Sequence, residues 1–254
     1  MRSIFHMKKL GLLLIILLFS SAVAAVEKPE WKIGMYWKYQ VTPAGYNFTV
    51  EITGRENITV DIDNKNYEVW NLTQTTEGKT IVEKMYTYVR VDDLADVMQI
   101  TYLKNKQKMK DIYSPPTPFI KYGVSVGDKW NASYQLLSYD GKKWQITVVK
   151  ENCECESKEK IKIPIGEFLC YKIVKNMSYK MENSNRYFNS TQVIYYSPKL
   201  KNWIKSESYV LGNKKSEVVL IETNCLEKEK KFALPLYLVI VAFAIVGLIS
   251  KTKK

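Results

Sequence analysis

Three aspartates crowd together at Asp92, Asp93 and Asp96. Carboxylates at close quarters can hydrolyse glycosides or chelate calcium. The spacing lacks the central glycine and distal glutamate of a calcium loop, so the cluster reads as a solvated turn, with at most a helical turn or two from Asp92 to Gln99. Four cysteines, Cys153, Cys155, Cys170 and Cys225, are the other reactive groups. An even count in a chain bound for export suggests disulfides with three pairings open. Cys153 and Cys155 are too close to pair with each other, so each is expected to reach Cys170 or Cys225. The other use of these thiols would be a four-thiolate zinc site or a redox pair, but C-x-C with two distant partners is poor zinc-ribbon spacing. The single histidine, His6, stands in the N-terminal leader. A mature domain without histidine has no Ser–His–Asp or Cys–His catalysis and no histidine-dependent zinc site. No glycine-rich phosphate loop is visible. The expectation is a non-enzyme without cofactor or metal.

The elements that must position these residues are strands. Trp37, Tyr39 and Val41 alternate with Lys38 and Gln40, and Trp130, Ala132, Tyr134 and Leu136 repeat the pattern. Period two with one apolar face is the signature of a half-buried strand. Tyr and Trp favour strands and bury large area while keeping a polar tip. Trp37, Tyr39, Trp130 and Tyr134 are therefore either the core of twisted sheets or the lining of an apolar pocket. Turn signals stand at Asp140-Gly141, Pro164-Ile165-Gly166, Ser197-Pro198 and Leu211-Gly212-Asn213. No long amphipathic helix period occurs between the ends.

The pattern repeats. Gly34-x-x-Trp37 recurs as Gly127-x-x-Trp130, 93 residues later. A turn then leads into an aromatic strand in each copy, at Asn64 to Trp70 and at Pro164 to Tyr171. Tyrosine-rich strands follow, at Tyr86-Thr87-Tyr88 and Ile194-Tyr195-Tyr196. The repeat, offset by 93 residues at its start and by 101 further on, predicts two tandem β units, residues 26–114 and 119–226, each a curved antiparallel sheet. The Pro-rich stretch at 115–118 reads as a stiff linker between them.

Both ends read as membrane signals. Arg2, Lys8 and Lys9 precede an apolar run from Leu10 to Phe19 and the small residues Ala22-Val23-Ala24-Ala25. That is the form of a secretory signal peptide over residues 1–25. Residues 227–231 are charged, residues 232–250 carry no charge, and 251–254 are Lys-rich. A run of that length spans a bilayer as a helix, and the Lys tail then stays in the cytoplasm. The formal charge of +12 shrinks between the two ends, where 32 basic residues meet 26 acidic ones. The signs are interspersed, which describes a solvated surface and excludes a nucleic-acid stripe. Six sequons, at Asn47, Asn57, Asn71, Asn131, Asn176 and Asn189, suggest a glycosylated exterior.

Trp31-x-x-Gly34-x-x-Trp37-x-Tyr39, Ile163-Pro164-x-Gly166-Glu167-Phe168-x-x-Tyr171-Lys172-Ile173 and Tyr195-Tyr196-Ser197-Pro198 ahead of Trp203-Ile204-Lys205 together resemble uncharacterised exported β-rich proteins similar to the lipoprotein-carrier half-barrel superfamily. The resemblance implies a strongly curved antiparallel sheet with one concave face, which in the carriers binds acyl chains. This chain departs in its duplicated unit and C-terminal anchor. A fixed anchor is at odds with a diffusible carrier, so the ligand does not transfer with the fold. The expected protein is a single-pass, mostly β cell-surface glycoprotein acting as a binding or structural module. Its partners would be the membrane and an apolar ligand or cell-envelope protein. A hydrophobic-ligand receptor and a carboxylate-dependent hydrolase are the alternatives.

Overall fold

The protein is described by a computed structural model covering residues 25–226, apart from 61, 63, 183 and 185. The expected signal peptide up to residue 24, the charged segment 227–231, the transmembrane run 232–250 and the tail 251–254 lie outside the described residues. Among the described residues no helix is long and apolar enough to cross a membrane.

Twelve strands make up the fold: β1 (Tyr36–Thr42), β2 (Tyr46–Val60), β3 (Lys65–Glu77), β4 (Val82–Arg90), β5 (Ala95–Leu103), β6 (Lys108–Pro118), β7 (Lys129–Tyr139), β8 (Trp144–Ile163), β9 (Gly166–Met181), β10 (Tyr187–Ser197), β11 (Asn202–Val210) and β12 (Asn213–Thr223). A 3-10 turn at Pro198–Leu200 joins β10 to β11. Each strand pairs antiparallel with the next, and β12 returns to pair with β1, from Trp37↔Thr223 to Thr42↔Glu217. The result is one closed barrel.

This corrects the expectation of two tandem curved sheets. Each six-strand half alone would expose two edges of unpaired N–H and C=O groups, a standing template for aggregation. Pairing β6 with β7 at one seam and β1 with β12 at the other removes all four edges. The expected linker at 115–118 is also corrected, because it forms the end of β6. Proline cannot donate to a ladder, so it is confined to strand ends and edges. Accordingly the β6–β7 pairing stops at Ser114↔Gln135, while Thr117 and Pro118 pair only with β5.

The two halves nonetheless make matching bonds. Gly34 N–H donates to Ile52 O (2.8 Å) and Ile52 N–H to Met35 O (2.9 Å). Gly127 N–H donates to Cys155 O (2.7 Å) and Cys155 N–H to Asp128 O (3.0 Å). Gly34 and Gly127 both sit at positive φ, +86° and +94°, where only glycine is unstrained. Ile52 and Cys155 each precede a register shift in one of the two longest hairpins, β2–β3 and β8–β9.

Alternation sorts the side chains. On β1, Trp37, Tyr39 and Val41 are buried inward. Trp37 Nε1–H donates to Leu200 O (2.9 Å), and the Tyr39 hydroxyl donates to Trp203 O (3.0 Å). The Tyr39 ring stacks on Trp203 with centroids 4.1 Å apart. Two non-strand segments cross the interior. Val26 N–H donates to Val124 O (2.7 Å) and Gly123 N–H to Val26 O (2.8 Å). Val26, Ile120 and Val124 pack with Cys155, Tyr171, Ile173, Ile194 and Tyr196. The Tyr171 and Tyr196 hydroxyls clamp the first segment by donating to Ala25 O and Glu27 O, both at 3.0 Å.

The expected disulfides are absent: Cys153, Cys155, Cys170 and Cys225 are all buried free thiols. Packing separates the first two from the other two. Cys153 and Cys155 share the inward phase of β8, and Cys155 lies directly opposite Ile173. Cys170 is fully buried near the start of β9. It packs with Phe168, Leu200, Ile204 and Cys225 in a different cluster. Cys170 and Cys225 share that cluster without bonding; Cys170 Sγ contacts Phe168 O at 3.4 Å and Cys225 Sγ contacts Asn224 Oδ1 at 3.8 Å. Burial pushes the Cys153 and Cys170 thiols up to about 12 and Cys155 to about 11, so these three are protonated at neutral pH and poor nucleophiles.

Trp37 carries a prediction. It is fully buried and hydrogen-bonded through its indole. Trp37→Ala should lower unfolding free energy by about 3–5 kcal/mol, the usual cost of deleting a buried aromatic. Urea unfolding would show it as a lower midpoint at unchanged slope. A loss under about 1 kcal/mol would mean that the β1–β12 seam holds without this side chain.

Candidate functional site

The inward phase of β8 runs Val149, Glu151, Cys153, Cys155, and that of β9 runs Tyr171, Ile173, Lys175. Two charges therefore enter the lumen. Lys175 Nζ lies 2.9 Å from Glu151 Oε2, with side chains 6% and 3% exposed. An ion pair this dry persists only if its remaining valences are met. Lys175 Nζ also donates to Phe119 O (3.3 Å) and sits 5.3 Å from the centroid of the Phe119 ring. Glu151 Oε1 accepts from the Tyr134 hydroxyl (3.2 Å), and Cys153 Sγ approaches Oε2 at 3.8 Å.

A third charge arrives from β5. Asp96 pairs with Val89 and Thr117 beside register shifts in both ladders, and shares the inward face of Val89. Among the described residues no hydrogen-bond donor reaches its carboxyl. Desolvation pushes that carboxyl up to about 7; the Glu151 charge adds to the rise and Lys175 opposes it. The three clustered aspartates thus part company. The Asp93 carboxylate accepts from Arg90 Nε (2.8 Å) and Nη2 (2.6 Å), and the guanidinium holds it below the usual range. Asp92 is exposed, with its carbonyl accepting from Lys28 Nζ (2.8 Å). Only Asp96 turns inward, which corrects the reading of the whole cluster as a solvated turn: it is a strand residue of β5.

Three cavities surround the Phe119 segment. A polar chamber of 320 Å³ is lined by Asp96, Tyr113, Tyr134, Glu151, Lys175 and Tyr179, among others. An apolar chamber of 230 Å³ is lined by Tyr39, Val50, Leu72, Met85, Val89 and Trp203, among others. Asp96 and Phe119 belong to both walls. An outer cavity of 490 Å³, with Lys28, Asp92, Lys121 and Trp130 in its wall, shares Phe119, Glu151 and Lys175 with the polar chamber. The interior is thus neither one continuous apolar cavity nor completely filled.

The four aromatics singled out in the sequence occupy different places. Trp37 is core, Tyr39 faces the apolar chamber, Trp130 the outer cavity and Tyr134 the polar chamber. The sequon asparagines Asn47, Asn57, Asn71, Asn131, Asn176 and Asn189 lie on strands. Asn57, Asn131, Asn176 and Asn189 are exposed, whereas Asn71 donates through Nδ2 to Glu56 Oε1 (2.9 Å). Glu151, Lys175 and Phe119 were missed from the sequence. Phase would have found the first two, since Glu151 alternates in step with Cys153 and Lys175 in step with Ile173. Among the described residues no cluster of three metal-ligating side chains could hold an ion.

Asp96 generates a stability prediction. Its folded value of about 7 lies above its ordinary value of 3.8. Between those values the unfolded chain releases the proton and the folded chain keeps it. Raising pH therefore favours unfolding, and the penalty is complete above the folded value. Lys175, Glu151, Tyr113 and Tyr122 are the titratable groups that couple to it. Asp96→Asn should gain stability over wild type progressively from about pH 4 to pH 7, with no further gain above. Urea titrations of both proteins across that window test it. A difference that is flat with pH would mean that Asp96 titrates normally.

No family model matches the chain, and no curated protein matches it. Three solved structures are similar to it at low identity. A candidate exported protein with a YmcC-like fold from Bacteroides fragilis is 14% identical, covering 79% of this chain and 99% of that one, with a TM-score of 0.48. A candidate lipoprotein from Parabacteroides distasonis is 12% identical over 79% of this chain and 99% of that one, with a TM-score of 0.37. The hypothetical lipoprotein YmcC from Escherichia coli is 11% identical over 74% and 83%, also with a TM-score of 0.37.

Proposed function

We propose that the chain is a non-catalytic binding module of a cell surface, tethered by the run at 232–250, whose barrel admits a small amphipathic ligand. The observation that carries this reading is the adjoining of a polar and an apolar chamber at Asp96 and Phe119. Binding sites are concave, mostly apolar, and carry a few placed polar groups. The exposed sequon asparagines support a glycosylated exterior. The matched Gly34 and Gly127 bonds support reading the two halves as copies of one six-strand unit.

Native mass spectrometry of the full chain, purified from its own membrane, tests the binding reading. The expected result is added mass of a small species that departs on denaturation. Finding only polypeptide and covalent glycan would remove the ligand and leave a protein partner at the cell envelope.

A second reading has one observation in its favour. Asp96, protonated up to about pH 7, shares a chamber with the salt-bridged Glu151. Glycosidases use two carboxyl groups whose environments push their titrations apart. An exported carboxylate-dependent hydrolase would lose roughly 100-fold or more in turnover on Asp96→Asn. A panel of aryl glycosides that the wild-type chain leaves intact would dispose of this reading.

A further inference from the structure

The lumen holds three ionisable side chains, Lys175, Glu151 and Asp96, and they are unequally satisfied. Lys175 is committed to Glu151 at 2.9 Å and to Phe119 O at 3.3 Å. Glu151 is committed to Lys175 and to the Tyr134 hydroxyl at 3.2 Å. Asp96 has neither a counter-ion contact nor a hydrogen-bond donor among the described residues. Asp96 lines both the polar and the apolar chamber. Asp96 is half-buried, and desolvation there makes its charge costly without a direct partner to offset it.

We propose that the lumen binds an alkyl amine, its ammonium group held by the Asp96 carboxylate among the phenols of the polar chamber and its hydrocarbon chain lying against Val50, Leu72, Met85 and Trp203. This rests on the reading of the barrel as a ligand-binding module.

Charge decides the sign of the headgroup. With Asp96 ionised, the chamber carries two carboxylates and one ammonium. A carboxylate or phosphate headgroup would add a third negative charge beside a lysine already engaged. An ammonium group balances the chamber and supplies the donors that Asp96 lacks.

The ring chemistry agrees. The Tyr113 and Tyr134 rings lie with centroids 5.9 Å apart, and Tyr179 completes that side of the chamber. Aromatic faces attract a cation, most strongly when it is desolvated. The same wall already demonstrates the preference, because the Lys175 ammonium sits over Phe119. Bringing a cation to Asp96 also favours its ionised form, so the raised titration of Asp96 falls on binding.

Isothermal titration of the full chain at pH 8 with hexylamine, hexanol and hexanoate tests this. The three probes share a chain and differ in headgroup charge. Hexylamine should bind at least about tenfold more tightly than hexanol, and hexanoate weakest of the three. Asp96→Asn should abolish the advantage of hexylamine while leaving hexanol within about twofold. Hexanol binding equal to hexylamine in the wild-type chain would overturn the amine proposal and leave the lumen reading standing. Tightest binding of hexanoate would overturn the charge argument outright. Failure of all three to bind would overturn both, since the chambers would then take no alkyl ligand. The comparison of probes on the wild-type chain decides the matter even if the variant folds poorly.

Discussion

Closing twelve strands encloses more space than their inward side chains can fill. Eight strands are about the number whose own side chains fill the interior, and wider barrels leave a lumen. The rest of this structure answers that constraint. Large rings go inward: Trp37 and Tyr39 pack in one cluster, Tyr171 and Tyr196 in another, and Trp203 lies against both. Two segments that belong to no strand are drawn in as well, and they bond to each other through Val26, Gly123 and Val124. Phe119, at the start of the second, divides what space is left. The cavities are therefore a consequence of strand number, and their position is a consequence of where these segments lie.

Bringing backbone and rings inside carries polar atoms with them, and most are met locally. The indole of Trp37 and the hydroxyls of Tyr171 and Tyr196 donate to the main-chain carbonyls of Leu200, Ala25 and Glu27, and the Tyr39 hydroxyl donates to that of Trp203 on β11. The first three bonds tie non-strand backbone to the wall. Glu151 and Lys175 are a different case. A buried pair of this kind is often no more stabilising than apolar residues of equal volume. Its presence in a lumen that apolar side chains could occupy points to a use of polarity there, and Asp96 beside it points the same way.

The strand content was legible because alternation survives in β1 and β7, where Trp37, Tyr39, Trp130 and Tyr134 stand on one phase. Closure was not legible. Nothing in the residues of β1 and β12 names the other as a partner, since a pairing across nearly the whole chain leaves no local signature. The prolines at 115, 116 and 118 misled because stiffness suggests a linker, whereas here they end a strand whose partner has already turned away. The cysteines misled because an even count in an exported chain suggests bonding, whereas the fold buries Cys155 and Cys170 in different clusters. Asp96 was grouped with Asp92 and Asp93 by proximity along the chain. The register shifts on both sides of β5 separate it from them.

The site arises from unlike residues at matching positions of the two halves. Ile52 lies opposite Leu72, and Cys155 opposite Ile173. Two residues further along the inward phase stand Gln74 in the first half and Lys175 in the second. At the shift between β4 and β5, Val89 lies opposite Asp96; at the shift between β10 and β11, Tyr196 lies opposite Trp203. Asp96 joins Lys175 in the polar chamber, and Trp203 joins Leu72 in the apolar one. The backbone thus offers two similar recesses. Asp96 and Lys175 make one of them polar, and Trp203 and Leu72 leave the other mostly apolar. A symmetric pair of apolar recesses would hold a hydrocarbon in either orientation. With the Glu151–Lys175 pair confined to one recess and Asp96 on the wall between the two, an amphipathic molecule would have a single favourable direction of entry, and the fold would need no moving part to impose it.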